Sequence, residues 1–198
     1  MPTDILIHMA EEKPRIYQSG RDITLSLGAI LIVMVVAVAP TGMCSTTVGA
    51  PEFGPVKEVD ARAFLSLESR AMPYPLRLPQ APQDWVANSA RRSSIDGQPA
   101  TVVGWVVAEN GYIKMTQTGL PADIAIAEYD NNPRELVARY QIQGTPVKLY
   151  ESPDKGVRAV RLIDLGDVRI LFSGAANDQE FDTIIAGTIL TDPVISEG

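Results

Sequence analysis

The stretch ATVVGWVVAENGYIKMTQTG, Ala100 to Gly119, decides the fold class. Asn110-Gly111 supplies the positive backbone angles of a tight hairpin turn, and β-branched and aromatic residues flank it on both sides. On the first arm Val103, Trp105 and Val107 share one face, while Val102 and Val106 share the other. A strand apolar on both faces is an interior strand covered from two sides, so a sheet with layers above and below is expected.

Working outward, DWVANSARR (84–92) has the proportions of another strand. After the hairpin, LPADIAIAEYDN reads as a short helix, with Pro121 at its start and Asp123 in its first turn. ELVARYQI then alternates Leu136, Ala138, Tyr140 and Ile142 against Val137, Arg139 and Gln141, the period of a half-buried strand. Gln143-Gly144 turns it into a partner strand, and a further pair is expected around Gly166-Asp167. Asn177 and Glu180 stand at capping-box spacing before a closing helix whose inward face is Phe181, Ile184, Ile185 and Thr188. Ahead of the strands, 59–71 predicts a helix with Val59, Ala63, Leu67 and Ala71 inward and Phe64 beside them, stopped by Pro73 and Pro75. Hairpins separated by isolated helices predict an α+β fold, an antiparallel sheet with helices packed across it.

The N-terminal part is of another kind. Ile23 to Ala39 carries no charge, and its only polar side chains are Thr24 and Ser26. Extended to Met43, the run rises about 30 Å as a helix, the thickness of a bilayer's hydrocarbon core. Lys13, Arg15 and Arg21 precede it, and the next basic residue is Lys57, so the N-terminus is expected on the cytoplasmic side. A cleaved signal peptide is the rival. Pro40 and Pro51 directly follow the small-x-small sites ending at Ala39 and Ala50, and the run exceeds a usual signal centre, which favours an uncleaved anchor. Met9 is an alternative start that leaves the orientation unchanged. The expected organisation is a cytoplasmic tail (1–22), a transmembrane signal anchor (23–43), an extended tether (44–58) rich in Gly, Pro, Ser and Thr, and an extracytoplasmic α+β domain (59–198).

Charge and chemistry narrow the function. Seventeen basic against 24 acidic residues leave a net charge of −7, which argues against nucleic acid and against charge-driven binding to anionic lipid. The one cysteine, Cys44, cannot staple the domain internally, so its core must hold it. A lipid or an intermolecular disulfide there are the functional alternatives to a small residue near the membrane edge. The one histidine, His8, lies in the tail, so the domain has no imidazole for a nucleophile pair, a histidine base or an ordinary zinc site. Glu128, Asp130 and Glu135 are the candidate acid and base for a carboxylate hydrolase, against the simpler reading of exposed turn residues. Asp154, Asp164 and Asp167 sit in turns without calcium-loop spacing, and Asp178, Glu180 and Asp182 suit a helix start. Trp85 and Trp105 are candidates for stacking or for core packing. Arg158, Arg161 and Arg169, on neighbouring expected strands, form a candidate interaction patch; cross-strand pairing with carboxylates is the alternative.

Arg21-Asp22 before a single anchor, the Asn-Gly hairpin, YIKMTQTG, LGDVRILFSGAA and NDQEFDTII together resemble an actinobacterial family of single-pass envelope proteins, catalogued as domain of unknown function 4245. The resemblance runs from about Arg15 to Ile189 and is most specific in the last third. It implies an actinobacterial source and export, and offers no activity and no catalytic residues. The order of strands and helices also resembles the PsbP-like fold of extrinsic membrane-complex subunits. The expected function is a non-catalytic interaction protein: an accessory subunit of an integral membrane protein complex in the envelope, respiratory assemblies among the candidates, with no cofactor, metal or nucleic acid. The alternatives are an envelope small-ligand binder or sensor, and the carboxylate hydrolase.

Overall fold

A computed structural model describes residues 20–38, 57–107 and 111–194. The expected tail up to residue 19, the last part of the anchor, Cys44, most of the tether and Asn110 of the expected turn lie outside the described residues. The chain divides into two units, residues 1–52 and 53–198.

In the first unit α1 runs Gly20–Val38. It has no inward face: Ile23, Leu27, Val33 and Val36 are 58–67% exposed, and its other large apolar side chains are exposed too. Thr24, one of the two polar side chains inside the run, donates its hydroxyl to the Gly20 carbonyl at 2.7 Å, satisfying itself within the helix. Among the described residues no helix is long and apolar enough to cross a membrane. α1 has 19 residues, about 28 Å of rise, and residues 39–43 of the expected span lie beyond it.

The second unit is a seven-stranded antiparallel sheet in the order β1-β2-β3-β7-β6-β5-β4. The strands are β1 Val86–Ile95, β2 Gln98–Val107, β3 Gly111–Thr118, β4 Glu135–Ile142, β5 Thr145–Glu151, β6 Val160–Asp164 and β7 Arg169–Ala175. Two meanders therefore meet back to front, β3 beside β7, and the segment holding α3 (Ala122–Ala127) carries the chain from mid-sheet to the far edge. Local chemistry sets the turns. Gln143 and Gly144 adopt φ of 50° and 77°, and Asp96 and Gly97 adopt 47° and 68°, both two-residue turns of the twist-matched kind. The Asp96-Gly97 hairpin was not among the expected turns; the strand expected at 84–92 runs on to it.

One face of the sheet is covered by α2 (Ala61–Glu68), α4 (Asp178–Ile189) and an extended strap over residues 72–82. Leu65, Leu76, Val103, Met115, Phe172 and Ile184 meet there, all inaccessible to solvent. On the other face Ala125 and Ile126 of α3 cover Val160, Leu162 and Leu171. β2 is interior, as its two apolar faces require. α4 starts with the expected capping box: Asn177 accepts from the Glu180 amide at 2.9 Å, and Glu180 accepts from the Asn177 amide at 2.8 Å.

Two expectations are corrected. α2 turns Ala61, Leu65 and Glu68 inward, while Ala63 and Leu67 face water, Leu67 at 65% exposure. The helix carries two overlapping apolar stripes. Asp60, capping the Ala63 amide at 2.8 Å, fixes its start, and Arg92 on β1 grips Glu68 at 2.7 Å, fixing its rotation. β4 is an outer edge strand, half-buried only in its second half, where Tyr140 and Ile142 pack against the main core. An irregularity at Val137 pairs Leu136 with Tyr150 and Ala138 with Leu149, so the bulge splits the expected apolar face.

Candidate functional site

Sheet register separates the three arginines of the candidate patch. Arg161 on β6 is paired with Phe172, on the face covered by α4. Its guanidinium lies 3.9 Å above the Phe181 ring and bonds the Asp178 carboxylate at the start of α4. It thereby pins that helix to the sheet, with its own side chain nearly enclosed. Arg169 on β7 faces the other way and meets Asp164 across the strand pair at 3.0 Å. Arg158 precedes β6 in an exposed loop, where its carbonyl accepts from Arg134 at 3.3 Å. The side chains do not converge, and two of the three are engaged by carboxylates.

The residues considered for acid–base chemistry span the connection from α3 to β4: Glu128 ends α3, Asp130 lies in the loop and Glu135 opens β4. Arg134 clamps Asp130 with both terminal nitrogens, the Nη2–Oδ2 bond being 2.8 Å, and the Asn132 amide donates to the same carboxylate at 3.3 Å. Burial would raise the Asp130 pKa, but hydrogen bonds from Arg134 and Asn132 outweigh it and hold the carboxyl below its ordinary value. That is the reverse of the raised pKa a general acid needs. Two cations lie over the Tyr129 ring, Lys114 Nζ at 4.7 Å and the Arg134 guanidinium at 5.5 Å from its centre. Asp164 accepts from the Gly166 amide at 2.9 Å and serves its turn.

A third polar group lies under the strap. Gln117 on β3 is wholly buried; its side-chain amide accepts from the Arg77 N–H at 2.8 Å and donates to the Arg77 carbonyl at 2.9 Å. The Tyr74 hydroxyl lies 2.9 Å from the Gln117 carbonyl and 3.0 Å from that of Pro99, one proton serving both. These contacts bind the strap to the sheet and leave no group poised to react. Alternation sets Gln117 on the inward face with Ile113 and Met115, but the sequence carries no signal for the strap that meets it there.

Residues 15–188 match the family described as "Protein of unknown function (DUF4245)". The chain belongs to this family. No curated protein and no solved structure matches, so the likeness to the PsbP-like fold has no structural neighbour behind it.

Two open depressions mark this DUF4245 domain. One, about 520 Å³, is lined by Glu58, Asp60, Arg62, Leu78, Ala87 and Trp105 among others. The other, about 580 Å³, lies against Ile126, Asn131, Pro133 and Arg134. Trp105 touches the first but is itself buried, so it serves the core. Both are broad and open to solvent, unlike the enclosed apolar clefts in which small ligands lose most of their surface. Among the described residues no three His, Cys, Asp or Glu side chains gather as a metal set.

Proposed function

We propose that this chain is a non-catalytic interaction protein of a cell envelope. The apolar run 23–43, to which most of α1 belongs, anchors it in the membrane with the N-terminus inside, and the α+β domain stands outside as an accessory subunit of an integral membrane complex. The observation that carries this reading is α1 itself. A helix apolar on every side, its large side chains exposed, is costly in water and finds its surroundings in lipid or beside other spans. The domain adds support: of the three carboxylates considered for catalysis, Asp130 is held in an ion pair by Arg134, and both strand arginines of the candidate patch are engaged by carboxylates.

The test is purification of the tagged full-length protein from its own membranes in mild detergent, with the chain starting near Glu58 as control. The expected result is a stoichiometric set of membrane subunits, lost when α1 is removed. A full-length protein that emerges alone at every detergent strength refutes the accessory-subunit reading.

A further inference from the structure

The geometry points to β4 as a docking edge for an extended segment of a partner protein, one that alternates acidic and apolar residues and adds as an eighth strand. This rests on the interaction reading above and names the partner's chemistry.

The two edges of the sheet differ. At β1 the chain covers part of its own edge, the Val59 amide donating to the Ala87 carbonyl at 2.8 Å. At β4 no described backbone group plays that part. The two-residue turn at Gln143-Gly144 makes Ile142 and Thr145 a hydrogen-bonded pair, so Ile142 and Tyr140 direct their backbone groups toward β5. Arg139 and Gln141 then present theirs outward, the template an added strand requires.

Charge selects the occupant. Arg139 stands directly opposite Lys148 on the face shared with α3, and neither makes an ion pair with any described residue. Two like charges in direct opposition destabilise a sheet. Protecting an edge from aggregation requires a charge such as Arg139 alone, and an acidic residue at 148 would serve that purpose with an added attraction. Asp123 of α3 and Arg139 both lie near the Tyr150 phenol on this face, but no described carboxylate comes within ion-pair distance of Arg139 or Lys148. The pair beside an open edge therefore suits an acidic side chain arriving on the next strand. On the opposite face Tyr140 and Ile142 are half-buried at the rim of the main core, so the same strand would set its apolar side chains beside them. A second copy of this chain on the same edge would bring Arg139 toward its own counterpart, adding like charge.

The test uses the detergent-solubilised full chain and two capped synthetic peptides as long as β4, one alternating glutamate and valine, the other lysine and valine. The glutamate peptide is expected to bind at least about ten-fold more tightly and to slow hydrogen exchange at the Arg139 and Gln141 amides. The Arg139→Glu/Lys148→Glu double variant is expected to reverse that preference. Arg139→Gln/Lys148→Gln, which adds no charge, is expected to abolish it, and serves if the charge-reversed variant fails to fold. Equal binding of the two peptides, binding that ignores both variants, unprotected amides, or self-association through β4 each overturns the inference. A membrane complex that still co-purifies in any of those cases leaves the accessory-subunit reading standing.

Discussion

Removing the Gln117 side chain should cost more than any surface change in this domain. Gln117→Ala strips the strap of both bonds at once and leaves the N–H and carbonyl of Arg77 without their partners. Each orphaned group costs about 1–3 kcal/mol, and the vacated volume adds to it, so the loss should be about 3–4 kcal/mol. For a domain of this size that is a fall of about 10 °C in Tm. The assay is thermal and urea unfolding followed by tryptophan emission, since Trp105 is buried and reports the core. Gln117→Glu sharpens the test. A carboxylate can accept from the Arg77 N–H but has no proton for the Arg77 carbonyl, whereas the protonated acid replaces both bonds. Burial raises the folded pKa of that new acid above its unfolded value of about 4.3, so the folded state binds the extra proton. The variant's deficit relative to the native protein should therefore be small near pH 4 and grow as pH rises toward 7. Two variants within about 1 kcal/mol of the native protein, or a Gln117→Glu deficit that ignores pH, would refute the assignment of the strap's attachment to this amide.

Burial, then the negative charge of Glu68, raises the Tyr74 phenol well above its usual range. The stability it contributes is complete below the unfolded value of about 10 and is lost as pH rises beyond it. Tyr74→Phe should cost about 1–2 kcal/mol at neutral pH while shrinking the alkaline loss, as read from urea midpoints between pH 8 and about pH 11. At Gly174 on β7 a methyl group would collide with the Tyr112 carbonyl oxygen and sit 2.9 Å from its carbonyl carbon. Gly174→Ala must part β3 from β7 at the middle of the sheet, so a loss of about 3 kcal/mol or failure to fold is expected; an unchanged Tm would refute that close approach.

Periodicity and turn chemistry were enough for the elements. Alternation marked the strands, Gln143-Gly144 and Gly166-Asp167 marked reversals, and Asn177 with Glu180 marked the start of α4, because each signal lies within a few residues of its effect. The all-apolar run from Ile23 was equally plain, since composition alone distinguishes it from an amphipathic helix. Tertiary structure decided the rest. Whether β3 finds β4 or β7 depends on contacts far apart in the chain, and so does the choice between the two stripes of α2, where Leu65 is buried in the main core and Glu68 meets Arg92. The arginine patch dissolved for a reason of parity. Once Asp164 pairs with Arg169, Arg161 lies three residues from Asp164 and must face the opposite side of the sheet. Gln117 shares the inward parity of Ile113 and Met115, but a polar side chain stays buried only when another segment brings it partners, and here the strap does. Sequence specifies which surfaces each element has; only the assembled sheet, by bringing distant segments together, decides which of them water ever reaches.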